Sequence, residues 1–156
     1  MKKVLAFLAV IVVLFGLIIA LNHYQTQQLL KDNPYGRNDL RQETIDQLKD
    51  PNYRNVILPE VLEEKLANGQ SQTVYFFSPV CEYCKLTTPI VVPLAQDLGI
   101  DLKLFNLLEF SKEAAEYEVT RTPTIVHFEN GKEVARIVGY QDKEVFSEWF
   151  EEHVLP

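Results

Sequence analysis

Both cysteines of the chain, Cys81 and Cys84, lie in the stretch FFSPVCEYCKLTTPI, Phe76 to Ile90, with two residues between them. Such a pair can be a structural bridge, half of a metal site or a redox dithiol. A disulfide across so small a loop removes little chain entropy, and a stabilising crosslink more naturally joins distant segments. A zinc or iron–sulfur site wants four ligands, and the remaining candidates, His23, His127 and His153, are scattered along the chain. The redox reading has a mechanism. Only a thiolate attacks a disulfide, and a helix N-terminus favours that form through its unpaired N–H groups and the positive end of its dipole. Cys81 follows a strand-like run and the Ser78-Pro79 break, so it is expected at a helix start, exposed and nucleophilic. Cys84, one turn inward, is expected to be more buried and able to resolve a mixed disulfide by attacking Cys81.

Elements around the pair must hold it in place. TVYFF, Thr73 to Phe77, reads as a buried strand, and a helix is expected from about Cys81 to Leu98, closed by Gly99. Upstream, Tyr53 to Ile57 is β-like, and Pro59 to Gly69 has proline at a helix start and glycine at its end. Downstream, Asp101 to Leu107 reads as a strand, Ser111 to Tyr117 as a helix, PTIVHFENGKEVARIVGY as two strands joined at Asn130-Gly131, and Lys143 to His153 as an amphipathic helix. Alternating units that end in a hairpin and a helix predict an α/β fold, a mixed sheet with helices on both faces.

On these residues the segment Tyr53 to His153 resembles the thioredoxin family. CEYCK stands in the place of the family's active-site motif, with Pro89 five residues past Cys84, and VTRTPTIVHFENGKEVARIVGY is similar to the stretch carrying the family's cis-proline, Asn-Gly hairpin and groove glycine. The resemblance implies a thioredoxin fold, a cis Pro123 packed against Cys81, a Thr122 backbone that pairs with a substrate chain as an added strand, and Gly139 beside the substrate groove. Departures from the family pattern at four positions are expected to modulate the site. Tyr75 stands where members often keep a buried acid that serves the second cysteine, and a phenol is a weak base near neutral pH. Water or Lys103 could serve instead, although Lys103 also fits a solvated strand residue. Glu82 sets a negative charge near the nucleophile, opposing the thiolate while stabilising the helix start. Tyr83 offers a ring for docking or covers the helix end, and Phe77, where thioredoxins often have tryptophan, shields the pair or is simply core. His127 reads as a satisfied core histidine, and Pro93, four after Pro89, is expected to bend or interrupt the same helix, with no functional account.

The remaining third is different in kind. Val4 to Leu21 is an unbroken apolar run of 18 residues, about 27 Å as a helix and nearly the thickness of bilayer hydrocarbon. Lys2 and Lys3 precede it and no basic residue follows until Lys31, which puts the N-terminus in the cytoplasm and the rest outside. A cleaved signal peptide is the competing reading, with Ile18-Ile19-Ala20 a poor exit site. The expected division is therefore a transmembrane anchor over 1–21, a polar stalk over 22–52 with a short helix begun at Asn38 or Asp39, and a thioredoxin-like domain over 53–156. The chain's net charge is −7, and 13 basic against 22 acidic residues in the exported part leave −9 there. That argues against nucleic acid as a partner and gives the surface as a whole no reason to lie on anionic lipid.

These features predict a membrane-anchored, extracytoplasmic thiol–disulfide oxidoreductase, monomeric and needing no cofactor or metal. Its partners would be exported proteins with thiols or disulfides, together with a membrane redox partner. Electron flow in either direction is compatible with the motif. The alternative is a non-catalytic accessory that holds exported peptides around Thr122 and Pro123. An isomerase would usually dimerise, and no dimerisation segment is evident beyond the short stalk helix.

Overall fold

Strand β1, Gln72–Phe77, organises the domain because both of its faces are apolar. The structure, a computed structural model, describes residues 2–156. Side chains alternate across a strand, so Val74 and Phe76 enter one core with Ile57, Leu62, Phe105 and Val126, while Tyr75 and Phe77 enter the other. That second core contains Cys84, Val91, Leu94, Leu104, Phe146 and Phe150. Helix α3, Pro59–Ala67, covers the first face; α4, Glu82–Asp97, and α5, Lys143–His153, cover the second. Trp149 and Phe150 pack there too.

The sheet runs in the order β2-β1-β3-β4, with β2 at Leu102–Asn106, β3 at Thr124–Glu129 and β4 at Lys132–Val138. β2 is parallel to β1, β3 is antiparallel to it, and β4 pairs antiparallel with β3. This is the mixed sheet with helices on both faces that the pattern predicted. His127 is buried on β3, its Nδ1 2.9 Å from the Thr73 hydroxyl.

Three elements differ from the sequence reading. The strand expected over Tyr53 to Ile57 reduces to one parallel bridge, Val56 to Leu104, because Asp50 and Pro51 start a 3-10 turn that takes up Tyr53. The helix expected over Ser111 to Tyr117 shrinks to a 3-10 turn at Glu113–Ala115. Tyr117 turns its ring into the Phe76 and Phe105 cluster, 5.2 and 5.7 Å between centroids, and Glu118 leaves the helical region at φ 52°. Pro93 does not interrupt α4. It lies four residues after Pro89, so both missing N–H groups fall on one side of a continuous helix, where Pro89 is exposed and Pro93 half-buried.

The polar segment before the domain also has more structure than its composition suggests. Helix α1 spans Lys2–Lys31, ten residues past the apolar run, and stops before Asn33-Pro34. The short helix of this region, α2, is Gln42–Gln47, begun after Arg41 and not at Asn38 or Asp39 as expected. Leu30, Tyr35, Leu40 and Leu48 form a third apolar cluster with Val56 and Phe110 against them. Beneath it, the buried Asn106 amide donates to the Tyr35 hydroxyl at 2.9 Å and to Thr44 Oγ1 at 3.2 Å. Glu109 accepts from Arg37 at 2.6 Å and from the Arg41 backbone at 2.9 Å. A buried polar group without partners costs about 1–3 kcal/mol, so Asn106 and this segment depend on one another.

Candidate active site

The end of β1 delivers the dithiol. After Phe77 the chain breaks at Ser78-Pro79, and the Cys81 N–H closes the turn on the Ser78 carbonyl at 3.0 Å. Cys81 is the N-cap of α4. Its Sγ accepts from the Cys84 N–H at 3.2 Å, the position usually filled by a serine or aspartate oxygen. Cys81 is half-buried, whereas Cys84 is only 1% exposed, so an incoming sulfur meets Cys81 first.

Sheet register brings the second half of the site. Phe76 pairs with Thr124, so the residues just before β3 sit beside the turn after β1. The Thr122–Pro123 bond is cis, and the Thr122 carbonyl lies 3.5 Å from Cys81 Sγ. Thr124 in turn pairs with Val138, which lets the Gly139 N–H donate to the Pro123 carbonyl at 2.8 Å. An open groove of about 420 Å³ results, lined by Tyr83, Arg121, Thr122, Pro123, Gly139 and Tyr140. Four of these were named from sequence. Arg121 and Tyr140 were not, although each adjoins a residue that was. Val80 and Leu86 add exposed apolar surface on the cysteine side.

Burial pushes the Cys84 thiol up to about 12, with its hydrogen bond to Cys81 acting in the same direction. The residues expected to modulate the site are placed differently from one another. Tyr75 is fully buried, its hydroxyl 3.4 Å from the Cys84 carbonyl and 3.2 Å from Thr88 Oγ1, which itself donates to that carbonyl at 2.8 Å. Burial raises the Tyr75 phenol as well, so it keeps its proton and is no base. Phe77 is core, stacked obliquely on Tyr53 and Tyr75. Lys103 binds Asp101 and the Asn55 side-chain oxygen, each at 3.0 Å, and makes no hydrogen bond to either sulfur. The Glu82 carboxylate is paired with Lys85 at 2.7 Å, so its charge does not face Cys81 unopposed.

The thioredoxin family model matches residues 55–152. The chain belongs to the thioredoxin family. It is 37% identical over 99 residues to a thioredoxin from Chlamydia pneumoniae, an alignment covering 63% of this chain and 96% of that one. A Staphylococcus aureus thioredoxin is 34% identical over 94 residues, covering 59% of this chain and 89% of the relative. Among solved structures, mitochondrial thioredoxin 3 from Saccharomyces cerevisiae superposes with a TM-score of 0.56 over 65% of this chain and 98% of its own, at 20% identity, a likeness of fold. The general chemistry of the thioredoxin family is thiol–disulfide oxidoreduction. The family match begins at residue 55. Residues before the match reach the start of α4: Glu43, Asp46, Asp50 and Tyr53 line a second groove with Pro79 and Lys85.

The raised Cys84 thiol has a measurable consequence. In the reduced protein at pH 8, iodoacetamide should modify Cys84 roughly a hundredfold or more slowly than an unstructured peptide thiol, the difference vanishing in denaturant. The unfolded chain releases this proton near pH 8.5 and the folded chain only near 12. Unfolding therefore becomes easier as pH rises from about 9. Denaturation midpoints at pH 7 and 10, with Cys84→Ala as reference, measure that loss; equal midpoint changes in both proteins would refute the assignment.

Proposed function

We propose that this protein is a membrane-anchored thiol–disulfide oxidoreductase whose thioredoxin domain works on exported proteins at the extracytoplasmic face, with Cys81 as the exchanging sulfur and Cys84 as the resolving one. The observation that carries the reading is the contrast between the two sulfurs: Cys81 open at the start of α4 and beside the Thr122 carbonyl, Cys84 buried one turn behind it. In the reducing direction the Cys81 thiolate attacks a substrate disulfide, one S–S bond forms as another breaks, and the departing substrate sulfur takes a proton. Cys84 then gives up its proton and attacks Cys81 Sγ. The second substrate thiol leaves, and two electrons have passed from the dithiol to the substrate. Oxidation of a substrate dithiol is the same sequence reversed. An extended substrate chain laid along Thr122 and Gly139, with Tyr83 and Tyr140 against its side chains, would present its sulfur to Cys81.

The anchor reading rests on α1. Its apolar window is unburied by the rest of the chain, as a lipid-facing segment requires, and two lysines stand at its N-terminal end. The domain division is then 1–21 in the bilayer, 22–52 docked against the domain rather than swinging free, and 53–156 as the redox unit.

A Cys84→Ser variant tests the mechanism. Expressed in cells, it should accumulate adducts with exported proteins that run apart on addition of dithiothreitol and that disappear when Cys81→Ser is added. No adduct above the level of the double variant would end the proposal. The reduction potential of the full chain then sets direction, a value near −270 mV marking a reductase and one near −120 mV an oxidase.

A further inference from the structure

The net charge of −9 beyond the apolar run is a sum, and the structure does not spread it evenly. Where α1 leaves that run, the segment after α2 folds back alongside it and encloses an open pocket of about 410 Å³. Tyr24, Gln28 and Leu29 of α1 line it together with Lys49 and Arg54, and Asp32 is the one carboxylate in its lining. Both cations are exposed, and among the described residues neither forms an ion pair. Two free cations are thus held together on a chain that is acidic overall.

Depth gives the pocket its chemistry. Tyr24 is three residues past Leu21, about 4.5 Å further along the helix axis, and the polar layer of one leaflet is roughly 5–7 Å thick. The Tyr24 end of the pocket therefore falls in the headgroup layer. Tyr24 is the interfacial aromatic expected there, its hydroxyl accepting from Gln28 Nε2 at 2.9 Å. Lys49 and Arg54 line the same pocket as Tyr24, and long cationic side chains extend toward a polar interface with their stems along apolar surface. They are also held in place, because Leu30, Tyr35, Leu40 and Leu48 lock this segment onto the domain.

We propose that this pocket binds the phosphate headgroup of an anionic phospholipid in the leaflet from which α1 emerges, with Lys49 and Arg54 as its ligands. The inference rests on α1 being a membrane anchor. A bound headgroup would seat the domain against the bilayer and fix the height at which Cys81 meets its substrates.

The full chain in phosphatidylcholine micelles is titrated with phosphatidylglycerol while its unfolding midpoint is followed. The midpoint is expected to rise, and Lys49→Gln with Arg54→Gln, both at exposed positions, should weaken the response roughly tenfold or more. Equal responses in native and double-variant chains overturn the proposal. So does a full response to inorganic phosphate alone, which would mark a small-anion site. Alkaline extraction of membranes reports on the anchor separately: a chain that stays in the membrane yet shows no phosphatidylglycerol response refutes the pocket alone, whereas a chain that washes off refutes both.

Discussion

Cys81→Ser is expected to lower turnover of a disulfide-bonded peptide by about a thousandfold or more while changing unfolding stability by less than about 1 kcal/mol. The two effects separate because Cys81 does two jobs. As the N-cap of α4 its side chain accepts the Cys84 N–H, and a serine hydroxyl performs that role at least as well. As a nucleophile it has no substitute: a hydroxyl cannot form a mixed disulfide, and Cys84, 1% exposed with its thiol raised to about 12, is neither reachable nor ionised near neutral pH. Cys84→Ser should behave differently, with one attack and then a stall at the mixed disulfide. A non-catalytic peptide-holding protein would keep its role in both variants. Stopped-flow turnover beside denaturant unfolding of the same three proteins decides the matter, and a Cys81→Ser protein that retains exchange activity removes the mechanism proposed above.

The largest stability effect is expected far from the dithiol, at Gly131. Asn130 and Gly131 form the β3–β4 hairpin with φ of 51° and 74°, the left-handed pair that this tight turn demands. Asparagine tolerates that region and alanine does not. Space is also lacking. A Cβ on Gly131 would run into the backbone carbonyl of Leu66 in the last turn of α3, and a helix backbone cannot step aside as a side-chain tip can. Strain and overlap together make Gly131→Ala cost about 3 kcal/mol, roughly a 10 °C fall in melting temperature. Gly139→Ala is the internal control. Its φ is also positive, 88°, but a Cβ there meets nothing within 4 Å, so about 1–2 kcal/mol of backbone strain is all that remains. Thermal unfolding of both variants distinguishes overlap from strain, and similar losses would show that the Leu66 contact does not matter.

How much of this was readable without coordinates follows the range of each interaction. Local features were legible. The Asn-Gly turn, the apolar run of α1, the strand before Cys81 and the cysteine spacing are written in neighbouring residues, and backbone sterics and helix-end chemistry act over that distance. The groove residues Tyr83, Thr122, Pro123 and Gly139 were reached through a family resemblance, since no local pattern says that Thr122 faces Cys81. Register does that, through the pairing of Phe76 with Thr124 and of Thr124 with Val138.

Other features existed only once the chain had folded. Leu30, Tyr35, Leu40 and Leu48 are spaced with neither a helical nor a strand period, so residues 22–52 read as a polar stalk, and only the surface around Asn106 and Phe110 gives those side chains somewhere to go. Val56 had β-like neighbours but found a single bridging partner because the preceding turn consumed Tyr53. Lys49 and Arg54 came to line one pocket with residues of α1 20 or more positions away, while the total charge stayed unchanged. Composition sums over residues regardless of place. Desolvation, ion pairing and packing depend on which distant groups are brought within a few ångströms, and that the tertiary fold alone decides.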